Sequence, residues 1–386
     1  MSPSLRFPEF TGEWKEERLS EIADIYKGAG ISKDQLSDNG EPCILYGELY
    51  TKYKTETITE VISRTDIDNT KLVRSKANDV IIPCSGETAE DIATARCVIK
   101  DGILLGGDLN IIRLHNYDGS FVSYQLNGKR KYDIAKVAQG VSVVHLYGEH
   151  LKGVKTVNPC LAEQKKISRF LSLLDERIAV QNRLIEDFKK LRCAIVEKMF
   201  KQSKANGRLG DFIEQVSVRN KNGLYSNVLS VSNKQGFVKQ SEQFEDRTVA
   251  SEDTSNYKIV KRNNFAYNPA RINVGSIARL TKFDVGIVSP MYVCFRTKAS
   301  IIPEYMEAFF TSQQFFYEMM KRLEGSVRLC LSYEGLCNIP VYIPDMNKQI
   351  AMGQNISLIL SKIGLEIEYL GRLHQQKQYL LRKMFI

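Results

Sequence analysis

The last forty residues of this 386-residue chain repeat a block that ends near its middle. Laying Leu161 to Phe200 over Met346 to Phe385, a shift of 346 − 161 = 185, pairs Gln164 with Gln349, Ser172 with Ser357, Leu173 with Leu358 and Ile178 with Ile363. Lys198-Met199-Phe200 falls on Lys383-Met384-Phe385. Upstream, the same shift matches Gly140 to Gly325, Glu149 to Glu334, Leu151 to Leu336 and Pro159 to Pro344. Duplication on this scale constrains the fold more than any local preference, because whatever one copy buries the other must also bury.

Both blocks read as long amphipathic helices. The apolar residues Ile167, Leu171, Leu174, Ile178, Ile185, Phe188 and Ile195 of the first recur at intervals of three, four and their sums. So do Ile356, Ile359, Ile363, Ile367, Leu370, Leu373 and Leu380 of the second. No proline interrupts either block, and Pro159 and Pro344 stand just ahead of the starts, where a helix tolerates them. The 33 residues from Ile167 to Met199 would make a rod of ~50 Å, too long for the core helix of a small domain. Each stripe therefore needs a partner, and the other copy is the candidate; the alternative is two separate helices, each packed on its own domain. Gln181 and Arg192 interrupt the first stripe, and Gly364 and Gly371 weaken the second helix by roughly 1 kcal/mol each relative to alanine.

Two segments precede these helices and begin alike, with Arg18-Leu19 matching Arg208-Leu209. Each shows short β-like runs, Val80-Ile81-Ile82 and Leu109 to Leu114 in the first, Asn227 to Val231 and Gly286 to Arg296 in the second. Each closes with a helical stretch, near Ser120 to Ala138 and Pro303 to Leu323, then a glycine leading to an apolar strand before the proline. The expected order is a first recognition-type domain at 1–158, a first spacer helix at 159–205, a second domain at 206–343 and a second spacer helix at 344–386. The fold class is α+β, with two mixed globular modules separated by two long antiparallel helices forming an intramolecular coiled coil.

Charge points to a partner. The chain carries a net charge of +9, and residues 161–200 hold nine Lys/Arg against six Asp/Glu while 346–386 hold six against two, so the helices account for most of the excess. A basic balance invites nucleic acid. No stretch approaches eighteen consecutive apolar residues and the opening lacks an apolar signal region, so a cytoplasmic location and no membrane contact are expected. The eight cysteines form no C-x-x-C pair and read as reduced thiols in cores, with no metal site.

If the rods pack antiparallel, two unlike heads sit on one repeated frame, the arrangement by which dimeric DNA readers span two half-sites. A ~50 Å rod corresponds to roughly 15 base pairs. At this point the residues resemble a known family, the specificity (S) subunit of Type I restriction-modification systems. The resemblance rests on Phe7-Pro8-Glu9-Phe10-x-Gly12-x-Trp14 followed by Leu19-x-x-Ile22, on the Gly140 to Pro159 approach, on Leu161-Ala162-Glu163-Gln164-x-x-Ile167, and on the two Lys-Met-Phe helix ends. The second copy departs from it at Met346-Asn347-Lys348-Gln349, which lacks the glutamate, and has no counterpart of Trp14.

The resemblance implies a non-catalytic subunit that reads a bipartite double-stranded DNA target, one half-site per head, and directs two modification subunits to adenine-N6 methylation. Two motor-nuclease subunits would add ATP-dependent restriction. S-adenosylmethionine, ATP and magnesium would belong to those partners, leaving this chain without a cofactor. A coiled-coil scaffold with two protein-binding modules is the alternative reading, and a methyltransferase in its own right is a third.

The residues themselves carry no complete catalytic motif. Asn158-Pro159-Cys160 and Asn268-Pro269-Ala270 fall short of the Asn/Asp-Pro-Pro-aromatic motif of an exocyclic-amine methyltransferase. Gly102 to Gly107 lacks the spacing of a dinucleotide loop, and no phosphate-binding G-x-x-x-x-G-K-[ST] occurs. Glu163 reads as a helix N-terminal charge favoured by the macrodipole. Base reading needs Arg, Lys, Asn, Gln or Ser on loops, with Lys and Arg on phosphates. The expected contacts in the first head are Tyr46, Lys52, Tyr53, Lys54, Ser85 in the loop to Thr88, Arg96, Lys129, Arg130 and Lys131. In the second they are Arg219, Asn220, Lys221, Asn233, Lys234, Arg271, Asn273, Ser276, Ser326 and Arg328.

Overall fold

Runs rich in Val, Ile and Leu, cut short by glycine, proline and asparagine, make strands of two to six residues in both heads. The structure, a computed structural model, describes residues 2–68, 70–140, 143–201, 204–233, 235–243, 253–326 and 328–386. In the first head these strands are β1 (Ala23–Lys27), β2 (Glu41–Ile44), β3 (Ser63–Thr65), β4 (Val73–Arg74), β5 (Asp79–Pro83), β6 (Arg96–Val98), β7 (Leu104–Leu105) and β8 (Leu109–Leu114). One sheet runs β1-β8-β5-β6 with antiparallel neighbours and gains Thr57–Ile58 beside β6; the other runs β3-β2-β7-β4, with β2 and β7 parallel.

The second head repeats this plan. Its strands are β9 (Ile213–Gln215), β10 (Val228–Ser232), β11 (Gly236–Lys239), β12 (Lys258–Lys261), β13 (Phe265–Tyr267), β14 (Ile277–Arg279), β15 (Val285–Val288) and β16 (Val293–Thr297). The sheets run β9-β16-β13-β14 and β11-β10-β15-β12, with β10 and β15 parallel as β2 and β7 are in the first head. Small details follow the duplication: Asn78 and Asn263 share the shift of 185 and a positive φ, 80° and 68°. The carboxylate of Asp79 accepts from Lys76 N, as the amide oxygen of Asn264 accepts from Lys261 N. The expected run from Gly286 to Arg296 is two strands, because Ser289-Pro290 interrupts it and proline has no N–H for a ladder.

The helices are α1 (Gly119–Asn127), α2 (Lys131–Val137), α3 (Leu161–Lys201), α4 (Pro303–Phe310), α5 (Gln313–Met320) and α6 (Met346–Lys383). Each expected closing helix is thus a pair, broken at Gly128 in the first head and at Ser312 in the second, whose hydroxyl caps α5 by accepting from Phe315 N at 3.1 Å. The chain divides into two compact units, Met1–Asn182 with Glu368–Ile386, and Arg183–Ile367. Both divisions fall inside the long helices, so each head shares its core with half of α3 and half of α6.

In the first unit Trp14, Phe121 and Leu151 pack with Ile167, Leu171, Leu174 and Ile178 of α3 and Leu373, Leu380 and Phe385 of α6. Asp175 meets Lys377 at 2.7 Å and Arg177 lies over the Tyr369 ring at 5.4 Å. The partner recedes along α6 as α3 advances, so the helices run in opposite senses. In the second unit Val196 and Phe200 of α3 share a core with Ile356 of α6 and with Phe265, Phe295, Tyr305 and Phe309. Ile185 and Ile363 are buried, Phe188, Ile195, Ile359 and Leu370 half-buried. Ile367, expected in the stripe, is 50% exposed. The three-four spacing from Ile363 through Glu366 to Leu370 gives its place to Glu366, which pairs with Lys362.

A buried ion group joins head and helices in the first unit. Lys377 Nζ lies 2.7 Å from Glu56 Oε2 and 2.7 Å from Asp175 Oδ1, while Tyr124 donates its hydroxyl to Asp175 Oδ2 at 2.7 Å. Burial raises the Asp175 carboxyl above its ordinary range, opposed by Lys377. Four of the cysteines lie in cores, where burial pushes Cys43 and Cys84 up to about 11 and Cys97 and Cys294 up to about 12. Cys160 and Cys193 are exposed, and Cys330 and Cys337 half-buried, so the expectation of core thiols holds for half the set. No helix among the described residues is long and apolar enough to cross a membrane.

Lys377→Ala leaves two buried carboxylates without their cation and is expected to cost about 3–5 kcal/mol in urea unfolding; a loss below ~1 kcal/mol would remove the group from the account of stability. Gly364 and Gly371 are exposed on α6 with open space around them. Gly364→Ala and Gly371→Ala are each expected to add about 1 kcal/mol, measured by the same titration.

Candidate nucleic-acid interface

In the second head three loops converge. Strand β13 runs into Asn268–Ser276, where Arg271 N donates to Asn268 O and Gly275, at φ 89°, closes the turn Ile272–Val274. Ser276 is buried and donates its hydroxyl to Val231 O at 3.1 Å, tying this loop to β10. A Cβ on Gly275 would lie 3.8 Å from that of Asn233 in the β10–β11 turn. The third loop joins through Leu331 N, which donates to Pro269 O at 3.1 Å. Glu324 and Cys330 bridge its base, and Gly325, at φ 117°, lies so near Arg328 O that an added Cβ would fall 2.3 Å from it. Arg271, Asn233, Ser326 and Arg328 are exposed and Asn273 is half-buried. Lys234 lies outside the described residues.

The remaining expected contacts of this head lie elsewhere. Arg219 and Lys221 are exposed at the β12 edge, where Arg219 bridges Lys258 and donates to Asn256. Asn220 is buried: its amide brackets the backbone of Tyr225, donating to the carbonyl at 2.8 Å and accepting from the N–H at 3.2 Å. It organises a turn and is withdrawn from solvent.

The first head builds the same junction with different residues. Ser85 and Gly86 follow β5 and pair with His145 and Val144 beyond Gly140, which has φ 125°. Ser85 is half-buried with its hydroxyl 3.4 Å from Asp108. Asp108 and Tyr46 line one cleft of about 690 Å³ together with Lys33, Tyr50 and Lys52. Lys52 is paired with Glu48 at 2.6 Å, and Lys54 donates to Tyr50 O. Tyr53 and Arg96 are interior, contrary to their expected place on a reading surface. Burial pushes the Tyr53 phenol up to about 12. Arg96 donates to the carbonyls of Leu49, Ala95 and Tyr53, each at 3.2 Å. Tyr53 stands between two lysines and Arg96 is itself charged, but the side chains follow the inward face of β6 and of the turn after Thr51.

Lys129 is exposed, Arg130 half-buried against Asp133 and Lys131 half-buried at the start of α2. Lys129 shares a surface cavity of about 470 Å³ with Arg382, Lys383 and the half-exposed Tyr379 at the end of α6. These partners escaped the reading of the sequence, because nothing local links residue 129 to residue 382. His145 and the 53%-exposed Tyr147 were also missed, with ring centroids 6.3 Å apart beside the Ser85 strand. Carrying the shift of 185 back from the Ser326 loop would have drawn attention to that segment.

The site offers exposed cations, amides and hydroxyls on glycine-shaped loops, suited to phosphate and base-edge contacts. Among the described residues no cluster of His, Cys, Asp and Glu could hold a metal ion. Arg96→Ala is expected to destabilise the first head by about 1–3 kcal/mol through its orphaned carbonyls, whereas Arg271→Ala should leave the unfolding midpoint unchanged; equal losses in both would place Arg271 inside.

Residues 11–190 match the family model of the Type I restriction modification DNA specificity domain. The Type I restriction enzyme MjaVIII specificity subunit of Methanocaldococcus jannaschii is 25% identical over 197 residues, 51% of this chain and 43% of that relative. The aligned stretch therefore spans less than half the length of the relative. In fold, the chain is similar to the crystal structure of a Type I restriction-modification S subunit from M. genitalium, at 19% identity and TM-score 0.63, covering 100% of this chain and 99% of that one. It is also similar to a chain from a structural study of assembly and conformational transition in the type I R-M system, at 13% identity and TM-score 0.57, covering 97% and 98%.

Proposed function

We propose, because residues 11–190 match the family model of the Type I restriction modification DNA specificity domain and the fold of the whole chain is similar to that of an S subunit, that this protein is the DNA-reading subunit of such a system, without catalysis of its own. It reads a bipartite duplex target, one half-site per head, with α3 and α6 setting the gap. It directs two modification subunits to adenine-N6 methylation and two restriction subunits to ATP-dependent cleavage. S-adenosylmethionine, ATP and magnesium are held by those partners.

The observation that carries this reading is a constant frame with variable loops. Eight strands and two sheets recur in the same order in both heads, while Ser85-Gly86-Glu87-Thr88 in one stands where Ala270-Arg271-Ile272-Asn273 stands in the other. A repeated framework with unlike loop chemistry suits two different short sequences read at a fixed interval. Exposed Lys129, Arg382 and Lys383 suit phosphates.

Long-read sequencing of host DNA, scored for N6-methyladenine, is expected to return one motif of two specific halves around a fixed gap. Exchanging residues 206–343 for the equivalent head of another such protein should change one half alone. An unchanged motif after the exchange would favour a protein-binding scaffold. Arg271→Ala is expected to weaken binding to that site by about 1–3 kcal/mol and relax the motif at one position. Lys129→Gln should weaken all duplexes alike and flatten the salt dependence by about one phosphate contact.

A further inference from the structure

Arg192 of α3 and Lys377 of α6 are the same position of the repeat, related by the shift of 185. In the first unit the cation is met by Asp175 and Glu56, with Tyr124 holding Asp175. In the second unit the shift puts Leu360 at the place of Asp175 and Phe309 at that of Tyr124. The charge is kept while the carboxylate on the facing helix and the hydroxyl that held it are gone.

What replaces them is a space. A cavity of about 290 Å³ opens beside Arg192, lined also by Leu360, Arg279, Lys282, Gln235 and Glu307. Arg192 Nε is buried and has no hydrogen-bond partner among the described residues. Among the described residues Glu307 is the one carboxylate lining the cavity; its charge is felt by Arg192, but its hydrogen bonds go to Arg279, from whose Nε it accepts at 3.0 Å and with whose terminal nitrogen it pairs at 2.9 Å. Among the described residues that line the cavity, the three cations Arg192, Arg279 and Lys282 thus outnumber the one carboxylate. A buried guanidinium nitrogen without an acceptor is unfavourable, and a planar fork of donors matches an oxyanion better than water.

We propose that this cavity is an oxyanion site for a single phosphate group, with Arg192 as its buried donor and Lys282 at its mouth. The phosphate comes either free from solution or from a DNA backbone. The second source has a route, since Gln235 belongs to the same turn as Asn233, one of the three converging loops.

The test uses the full chain and two variants, Arg192→Met and Leu360→Asp; the second restores a carboxylate where the first unit has Asp175, so it fills the site from within and guards against a fold lost with Arg192. Inorganic phosphate is expected to raise the thermal midpoint of the unmodified chain by a few degrees over sodium chloride at equal ionic strength. Both variants should lose that response, with Leu360→Asp melting no lower than the parent. On a random-sequence duplex, a salt dependence flattened by about one contact in both variants assigns the phosphate to DNA. A phosphate response without that change assigns it to a free ion. No response in solution together with parental salt dependence overturns the site, as does a defect confined to capture of partner subunits, which would point to an acidic side chain. An unmodified chain that shows no sequence preference yet keeps the phosphate response would strike the DNA-reading proposal and leave this one standing.

Discussion

The ammonium of Lys377 is the contact on which the first unit depends. Apolar burial draws α3, α6 and the head together but has no direction, so it sets no register between helices whose stripes repeat every few residues. An ammonium held at 2.7 Å by two carboxylates from different elements does. Slipping α6 by one turn would move Lys377 away from both Glu56 and Asp175 and bury three unpaired charges, each costing several kcal/mol. Tyr124 extends the same constraint to α1.

From that register follows a circular use of the duplication. The chain's end returns to its beginning: Leu5 N donates to Lys383 O, and Phe385 packs 5.2 Å from Phe121. In the second unit Phe200, the matching end of α3, packs 5.3 Å from Tyr305 and 5.2 Å from Phe309. Each Lys-Met-Phe terminus thus closes a head. The helix starts behave alike as well: Gln164 donates to Pro159 O and accepts from Asp118 N, as Gln349 donates to Pro344 O and accepts from Ile302 N.

Where the copies part, they part in matched pieces. Glu163 is buried and bound by Arg6 at 2.7 Å and by Trp14 Nε1 at 3.3 Å. Its counterpart is Lys348, which pairs instead with Asp345 at 3.1 Å. A buried carboxylate without its donors is costly, so the absence of both the glutamate and the tryptophan from the second copy is one change, not two. Glu163 consequently does more than complement a helix dipole: it holds the arm from Arg6 to Trp14 onto α3.

The sequence by itself determined the repeated frame, the two long helices and the absence of familiar catalytic motifs, because duplication, a three-four apolar spacing and uninterrupted helix formers are all written along the chain. It also singled out Gly140 and Gly325, whose positive φ and closely approached carbonyls admit little else, but not the short helices Gly148–Lys152 and Tyr333–Cys337 that precede the strands before the prolines. Only the tertiary structure decided which cations read and which support. Arg96, Tyr53, Asn220 and Ser276 look like surface residues in their local context, yet burial turns them to backbone carbonyls, amides and packing. Which side of Arg192 would meet Leu360 and a cavity, and which side of Lys377 would meet Asp175 and Glu56, depended on contacts between residues far apart in the chain. Local pattern carries no record of distance across a core, so those assignments could come only from the fold.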